Sequence, residues 1–371
     1  MPTIRIRQLF AVCLLLPALA MAGDDNDQDQ TEVKPVGMSS RLFTDPERTE
    51  WGGDDPRPLA TTLWYPTDAT QETYEVTIGN PDDPLFIAGR AQGNPPVSRE
   101  KERYPLILLS HGTGGAGIHL MWLATRLAEE GYIVAAVNHH GNTSAGENYQ
   151  VEGFMLWWER TRDLSAVLDQ LLEDPEFGNH IDQRRVGAAG FSLGGYTVIS
   201  LAGGITSLEA FEAFCNSPER DTTCEPQAEF PGSTRDFREA ARQPHVQASL
   251  AEHDESWRDD RFAAVFAIAP ALGGAFSEPG LMPIVIPVGI LGAEHDSIAP
   301  LATNAERFAR YIEGAELSII DEAGHYSFLS RCTDTGRKRL GLFCTDPNEN
   351  RADIHDRASA KVLDFFNRHL D

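Results

Sequence analysis

Ser192 stands in a pattern that can turn a serine hydroxyl into a nucleophile. It lies in the run Gly-Phe-Ser-Leu-Gly, between Gly190 and Gly194. Residues 185–190 predict a short buried strand, and residues 193–201 predict the helix that follows. A serine at so sharp a turn is held in a strained backbone conformation that exposes its Oγ atom at the edge of the sheet. The flanking glycines remove the Cβ atoms that would clash there.

A carboxylate and a histidine follow this serine in the order nucleophile, acid, histidine. The apolar strand predicted at 284–292 runs into a polar turn that carries Asp296. The apolar run at 317–320 leads into a loop that carries His325. We expect His325 Nε2 to take the proton from Ser192 Oγ, while Asp296 fixes the imidazole tautomer and stabilises the imidazolium.

Both of these assignments have rivals in the sequence. Glu294 shares the turn with Asp296, but the shorter aspartate side chain suits a fixed hydrogen bond better. His355 and His369 also follow the acid, and they belong to an amphipathic helical pattern in which we expect them to be solvated. The sequence therefore favours Asp296 and His325.

A glycine-rich loop upstream offers backbone amides. The buried strand predicted at 104–110 is followed by His-Gly-Thr-Gly-Gly at 111–115. The amides of Thr113 and Leu193 are the expected oxyanion-hole donors, since such donors stabilise the negative charge that develops on a substrate oxygen. A loop of this composition is also typical of flexible connections and phosphate cradles, but its place before Ser192 favours the oxyanion hole.

Four segments together resemble the α/β-hydrolases. They are Ser-His-Gly-Thr-Gly-Gly at 110–115, Gly-Phe-Ser-Leu-Gly-Gly at 190–195, Gly-Ala-Glu-His-Asp-Ser-Ile-Ala-Pro at 292–300 and Ala-Gly-His-Tyr-Ser-Phe-Leu at 323–329. More narrowly, the chain resembles the bacterial group of predicted dienelactone hydrolases, which is related to the type II platelet-activating-factor acetylhydrolases. The resemblance implies an α/β-hydrolase fold, with a mostly parallel central sheet flanked by helices.

The chain departs from that group at two positions. True dienelactone hydrolases use a cysteine nucleophile, whereas this chain has Ser192. The animal acetylhydrolases carry the acid after the preceding strand, but here the strand at 262–270 leads into Ala-Leu-Gly-Gly-Ala-Phe, which has no carboxylate. The turn that carries Asp296 is similar instead to the acid-bearing turn of bacterial polyester hydrolases and cutinases, which widens the range of expected ester substrates.

The N-terminus predicts export. Residues 1–22 are the expected signal peptide, because Arg5 and Arg7 precede an apolar stretch that ends in Ala-Met-Ala. That stretch is too short to span a bilayer, so no transmembrane segment is expected. Cys13 is a poor match to a lipoprotein site, which favours cleavage and release into the periplasm or the medium. Residues 23–39 are expected to form a disordered acidic linker.

Residues 40–371 are expected to form one α/β-hydrolase domain. Residues 40–90 predict a strand-rich leading section, and strands alternate with helices after it. The segment at about 203–260 interrupts that rhythm, because it is polar, weakly periodic and cysteine-bearing. It sits where hydrolases commonly carry a cap over the nucleophile, so we interpret it as a lid.

Four cysteines remain after the signal peptide: Cys215, Cys224, Cys332 and Cys344. An even number in an exported protein predicts disulfide bonds. Local pairing, Cys215 with Cys224 and Cys332 with Cys344, is the simplest of three connectivities. A metal site is the alternative, but the spacings fit no zinc ribbon or finger, and no metal is expected.

The charge of the chain argues against one class of partner. There are 31 basic and 56 acidic residues, and the formal net charge is −25. Nucleic-acid binding needs a basic patch, and no cluster of Lys and Arg of that kind occurs, so no nucleic-acid partner is expected. The sequence leaves the oligomeric state open.

These features predict an exported serine hydrolase that cleaves carboxylic esters through an acyl-enzyme at Ser192, without a cofactor. Short-chain, phospholipid-like and polyester-like esters are the expected substrates. The aromatic run at 154–158, with Tyr326 and Phe328, is a candidate lining of the substrate pocket. An acyltransferase or peptidase that uses the same triad is one alternative, and a non-catalytic binding protein on the hydrolase scaffold is another.

Overall fold

The strand-rich leading section begins earlier than the sequence predicts. A computed structural model describes residues 34–146, 148–230, 232–347 and 350–370. The predicted signal peptide and residues 23–33 of the predicted linker lie outside these residues. Strand β1 starts at Val36, inside the segment predicted as a disordered linker, because Val36 is buried and pairs with Pro66 of the next strand.

Eleven strands in the described residues form one sheet. They are β1 (Val36–Thr49), β2 (Pro56–Pro66), β3 (Tyr74–Asn80), β4 (Asp83–Gly93), β5 (Tyr104–Ser110), β6 (Ile133–Val137), β7 (Ile181–Phe191), β8 (Ala264–Ile268), β9 (Val288–Ala293), β10 (Glu316–Ile320) and β11 (Arg331–Cys332). Their order across the sheet is β10-β9-β8-β7-β5-β6-β2-β1-β4-β11, and β3 pairs with β4. The six strands from β10 to β6 run parallel, and β2 is antiparallel to both of its neighbours. The carboxyl ends of the parallel strands therefore meet at one edge, where ligands bind in sheets of this kind.

Helices cover both faces of this sheet. They are α1 (Met121–Glu129), α2 (Val151–Met155), α3 (Glu159–Glu173), α4 (Leu193–Leu201), α5 (Leu208–Cys215), α6 (Thr234–Ala240), α7 (Pro244–Leu250), α8 (Glu278–Leu281), α9 (Ala305–Tyr311), α10 (Asp334–Arg339), α11 (Gly341–Cys344) and α12 (Arg351–His369). Helices α3, α4 and α9 pack on one face, and α1 and α12 pack on the other. The described helices include none that is both long enough and apolar enough to cross a membrane.

Strand β5 shows how the sheet divides the core into two layers. Leu106 and Leu108 point into one apolar cluster, whereas Ile107 and Leu109 point into the other. This division follows from the pleat, since successive side chains of a strand point to opposite faces. All four side chains are fully buried, as the unbroken apolar run of β5 predicts for a central parallel strand.

The segment that the sequence singles out at about 203–260 lies between α4 and β8. It contains α5, α6 and α7, and it contacts the turn after β9, where the Thr222 hydroxyl donates to the backbone carbonyls of Ser297 and Ile298 at 2.8 Å each. The side-chain amide of Asn304 donates a hydrogen bond to the Asp221 carboxylate at 3.0 Å. The segment is therefore attached to the part of the chain that carries Asp296.

The four cysteines pair locally. Cys215 is bonded to Cys224, and Cys332 is bonded to Cys344. The first bond joins the end of α5 to a 3₁₀ turn in the inserted segment. The second joins β11, which pairs with β4, to α11. This is the simplest of the three connectivities that the sequence allows.

Candidate active site

Ser192 lies at the turn between β7 and α4. Its backbone has φ 56° and ψ −116°, a left-handed conformation that costs free energy for a residue with a Cβ atom. The turn can be this tight because of its glycines. A Cβ atom on Gly190 would overlap the carbonyl oxygen of Gly194, and one on Gly194 would overlap the carbonyl oxygen of Ser110. The sequence pattern therefore produces the strained serine turn that it predicts.

The structure brings Ser192, His325 and Asp296 into one hydrogen-bonded chain. His325 Nε2 lies 2.9 Å from Ser192 Oγ, and His325 Nδ1 lies 2.7 Å from Asp296 Oδ2. All three residues are buried. An imidazole that donates through Nδ1 to a carboxylate presents an unprotonated Nε2, which can accept the serine proton.

Backbone amides fix the Asp296 carboxylate in place. Its second oxygen, Oδ1, accepts hydrogen bonds from the amides of Ile298 at 2.9 Å and Ala299 at 2.7 Å. Glu294, the rival acid, is directed elsewhere, because its Oε2 accepts from the amide of Glu322 at 2.9 Å and its side chain is 47% exposed. The geometry thus pairs the aspartate, and not the glutamate, with the histidine.

The loop after β10 presents His325 and is held from beneath by α12. His355 Nε2 lies 3.0 Å from the carbonyl oxygens of both Ser327 and Leu329, and the ring stacks on Trp122. The expectation that His355 is solvated is therefore wrong, since the residue is only 6% exposed. Burial, with the nearby Arg351 charge, lowers its pKa to about 3. His355 is a neutral support for the loop.

The glycine loop after β5 faces Ser192. Thr113 lines the same cavity as the serine, and Leu193 is the first residue of α4. Neither amide donates to an acceptor within the described part of the chain. Asn142 holds the loop, because its Oδ1 accepts from the amide of Gly114 at 2.6 Å and its Nδ2 donates to the carbonyl of Gly153 at 2.8 Å. Two backbone donors are thus available beside the serine.

His111, the first residue of this loop, is a structural residue with a defined tautomer. Its Nε2 accepts from the amide of His139 at 3.2 Å, which places the proton on Nδ1, 2.7 Å from the carbonyl of Gly112. Burial, reinforced by the charge of Arg160, holds the pKa of His111 well below its usual range. The neutral ring ties the glycine loop to the end of β6.

Arg160 lies under the loop with its charge buried. It donates through Nη2 to the carbonyl oxygen of His111 and to Ser110 Oγ, and through Nε to Thr197 Oγ1 at 3.2 Å. Its Nη1 is enclosed without a partner in the described residues. Burial lowers its pKa to about 9, so the guanidinium is charged at neutral pH. Since Thr197 lies on α4, Arg160 links the loop to the helix that follows Ser192.

An apolar cavity of about 270 Å³ opens at Ser192. Its apolar wall comes from five parts of the chain: Phe86, Leu120, Phe191, Leu329, Leu340 and Phe343. Tyr326 also lines it, as the sequence predicts. The predicted aromatic run at 154–158 and Phe328 do not belong to the described lining. Phe154 packs on Phe230, and Trp158 is fully buried.

The inserted segment reaches this cavity through Ala228 and Glu229. Glu229 Oε1 accepts a hydrogen bond of 2.5 Å from the hydroxyl of Tyr326, which is the residue after His325. The Tyr149 hydroxyl donates to the carbonyl of Gly114 at 2.7 Å, close to Glu229. The segment predicted as a lid thus forms part of the cavity wall in the described structure.

Sequence reasoning missed Asn142, Arg160 and His119, which also contact the loop or the cavity. Asn142 follows the carboxyl end of β6, and polar residues at that edge of a parallel sheet are a usable signal. Arg160 gives no signal, because it lies in a helix with a mixed polar and apolar pattern. His119 lies in a short 3₁₀ turn whose direction cannot be deduced from sequence.

The sheet order, the flanking helices and the serine turn define the α/β-hydrolase fold. A solved structure with the same fold is a ferulic acid esterase from Streptomyces cinnamoneus, which aligns with a TM-score of 0.61 and 21% identity. That alignment covers 92% of this chain and 91% of the other. The fold predicted from the sequence is therefore confirmed.

Sequence comparisons relate the chain to serine hydrolases of this fold. The profile of the prolyl oligopeptidase family matches residues 118–215, which include Ser192. A cutinase from Thermobifida alba is 24% identical over 216 residues, which are 57% of this chain and 48% of the relative. A dipeptidyl-peptidase 5 from Porphyromonas gingivalis is 34% identical over 115 residues, 29% of this chain and 16% of the relative. The chain thus matches less than half the length of these two relatives.

Proposed function

We propose that this protein hydrolyses carboxylic esters through an acyl-enzyme on Ser192. The observation that carries the proposal is the hydrogen-bonded chain from Ser192 Oγ through His325 to Asp296, at 2.9 and 2.7 Å, which opens into an apolar cavity. The similarity to a cutinase supports the same chemistry. The other parts of the site fit this activity as follows.

In the first half of the reaction, Ser192 Oγ bonds to the carbonyl carbon of the ester while its proton passes to His325 Nε2. The amides of Thr113 and Leu193 bind the oxyanion of the tetrahedral intermediate. The bond to the alcohol oxygen then breaks, and the alcohol leaves with the proton from His325. In the second half, water attacks the acyl group by the same route and releases the acid and free Ser192.

Asp296 has a positioning and electrostatic role in this mechanism. Its Oδ2 accepts from His325 Nδ1, and it stabilises the imidazolium that exists after each proton transfer. The two amide hydrogen bonds to Oδ1 keep the carboxylate correctly directed. Each step uses side chains and backbone amides of this chain.

Export and the lid belong to the same proposal. Two disulfide bonds are typical of proteins from oxidising compartments, which fits the signal peptide expected at residues 1–22. We assign the inserted segment the role of a lid, because Glu229 closes one side of the cavity through its bond to Tyr326. Release of that bond would open the cavity to a bulky ester.

An active-site label tests the nucleophile directly. A fluorophosphonate probe should modify the native protein at Ser192, as read by peptide mass spectrometry, and heat-denatured protein should remain unlabelled. Ser192→Ala should lose both the label and the hydrolysis of 4-nitrophenyl esters, because the triad acts as a unit. Circular dichroism should show that the variant is folded. Activity within tenfold of the wild type would contradict the proposal.

A peptidase is the second candidate, since the prolyl oligopeptidase profile covers the region of Ser192. An ester and an anilide with the same acyl group separate the two activities. Ester hydrolysis with negligible release of 4-nitroaniline supports the esterase. Efficient cleavage of dipeptidyl anilides would favour the peptidase, transfer of the acyl group to an added alcohol would favour an acyltransferase, and absence of labelling would favour a binding protein.

A further inference from the structure

His119 is a polar residue of the Ser192 cavity that the proposed mechanism does not use. His119 lies in the 3₁₀ turn Gly117–Leu120, directly after the oxyanion loop, and it lines the same cavity as Ser192 and His325. The residue is 9% exposed. Its ring packs edge-to-face on Phe86, with centroids 5.0 Å apart, so the ring has a fixed orientation against the apolar wall.

The imidazole of His119 lacks a hydrogen-bond partner among the described residues. Its Nδ1 atom is fully enclosed and unpaired, and the ring contact to Phe86 is apolar. A buried polar group without a partner is destabilising, so native structures seldom keep one without a reason. Because Nδ1 is enclosed, Nε2 is the ring nitrogen that a molecule in the cavity can reach.

Several other polar side chains at this cavity bond within the protein. The Tyr149 hydroxyl donates to the carbonyl of Gly114, and the Tyr326 hydroxyl donates to Glu229. Ser192 and His325 bond to each other. His119 differs from these side chains, because no hydrogen bond within the described residues holds its ring.

The protonation state of His119 also fits a neutral ligand. Burial, with a smaller effect of the Arg351 charge, lowers its pKa to about 4. At neutral pH the ring is an uncharged imidazole, which has one donor and one acceptor nitrogen. A hydroxyl group can both donate and accept, so it pairs with Nε2 in either tautomer. Because the ring is neutral, it does not attract a carboxylate as a charged imidazolium would.

We infer that His119 is a specificity-determining residue, which binds a hydroxyl on the otherwise apolar substrate group that fills this cavity. The inference rests on the proposed esterase function and names its substrate class: esters whose apolar acyl or alcohol group carries a hydroxyl. The apolar wall binds the carbon skeleton, and Nε2 of His119 binds the hydroxyl. An analogue that lacks the hydroxyl leaves Nε2 of His119 without this partner, and such a site discriminates against it.

Matched substrate pairs test this inference. In the acyl pair, ethyl 3-(4-hydroxyphenyl)propanoate is compared with ethyl 3-phenylpropanoate. In the alcohol pair, 6-hydroxyhexyl acetate is compared with hexyl acetate. Because the hydroxylated member gains one buried hydrogen bond, we expect its kcat/KM with the wild type to be about tenfold higher in at least one pair. Equal values in both pairs would overturn the inference.

Two variants assign the preference to His119. His119→Phe keeps an aromatic ring against Phe86 but cannot bind a hydroxyl, so the ratio within the pair should fall to about one. His119→Gln restores a donor and an acceptor and should recover part of the ratio. Glu229→Gln changes a polar cavity residue that is bonded within the protein, so it serves as the control and should keep the wild-type ratio within the pair. A ratio that survives in His119→Phe, or is lost in Glu229→Gln alone, would refute the assignment.

A binding experiment separates this inference from the proposed esterase function. Calorimetry on the Ser192→Ala variant compares 3-(4-hydroxyphenyl)propanamide with 3-phenylpropanamide, which are amides that need no hydrolysis. Tighter binding of the hydroxylated amide, lost when His119→Phe is added, supports the inference even if no ester is hydrolysed. Equal affinities would overturn it while leaving esterase activity intact.

Discussion

Asp296 and Glu294 leave β9 two residues apart, yet only the Asp296 carboxylate reaches His325, at 2.7 Å from its Nδ1. The Glu294 carboxylate instead accepts from the amide of Glu322. The difference comes from the turn itself. Its amides at Ile298 and Ala299 bond to Asp296 and direct that side chain inward. The short side chain then has one available direction, toward the histidine.

This arrangement predicts unequal effects of two conservative substitutions. Asp296→Asn should lower kcat by about three to four orders of magnitude, because an amide stabilises the wrong tautomer of His325. Glu294→Gln should change kcat less than about threefold, since its exposed hydrogen bond lies outside the triad. Steady-state kinetics on a 4-nitrophenyl ester measures both. The reverse order of the two effects would move the acid to Glu294.

Arg160 should act as a positioning residue for the oxyanion loop. Arg160→Met removes the donor to the carbonyl of His111, so the loop amide of Thr113 loses its support. We expect kcat to fall about tenfold with a smaller change in KM, because the oxyanion exists only in the transition state. Arg162→Met, two residues along the same helix and with a side chain 25% exposed, is the control and should retain kcat within about twofold. Equal kcat values for the two variants would contradict this role.

The two disulfide bonds should differ in their effect on catalysis. Cys332 pairs with Phe86 across β11 and β4, and Cys344 follows Phe343, so this bond fixes two residues of the cavity wall. Replacing both of these cysteines by serine should raise KM several-fold and lower stability by about 2 to 3 kcal/mol.

The matching double variant of Cys215 and Cys224 is the control for this comparison. Its loop is of similar length, so a similar loss of stability is expected, but neither cysteine lines the cavity. Its KM should therefore change less. Kinetics and urea unfolding on both variants decide the question, and identical KM values would remove the link to the cavity.

Acid should destabilise the fold through its buried histidines. Burial lowers the pKa of His119 and His139 to about 4 and that of His355 to about 3, whereas each ionises near 6.5 when unfolded. Below pH 6.5 the unfolded chain therefore binds protons that the folded chain does not, and stability falls as pH falls. Between pH 6 and pH 4.5, each histidine lowers the free energy of unfolding by up to about 1.4 kcal/mol for every unit by which the pH falls.

A single substitution isolates one of these contributions. His355→Gln keeps a side chain that can bond to the carbonyl groups of Ser327 and Leu329, but it does not titrate. The free energy of unfolding, measured with urea at several pH values, should then depend less steeply on pH by about 1.4 kcal/mol per unit. An unchanged slope would show that His355 does not contribute.

The helical pattern predicts that His355 is solvated, but the residue is buried, and the reason can be identified. His355 directly follows Ile354 in the sequence, and the helical period places it near the boundary of the apolar stripe of α12. Whether such a boundary residue is covered depends on what packs against it. Here Trp122 and the loop after His325 cover it, and both are distant in sequence. The prediction that the aromatic run at 154–158 lines the pocket is wrong for the same reason, because its packing partners, such as Phe230, are distant in sequence.

The sequence by itself determined the nucleophile turn and the chain order of the three candidate catalytic residues. It also implied the α/β-hydrolase fold by resemblance, and it offered local disulfide pairing as the simplest of three connectivities. These features depend on residues close in sequence, such as Gly190 beside Ser192, or on apolar periods that strands impose. Tertiary structure alone decided which carboxylate meets His325, what lies beneath the oxyanion loop and which side chains form the cavity. These depend on side-chain directions across the sheet edge, as at Phe86 and His119, where segments far apart in the chain meet and no local pattern records the contact.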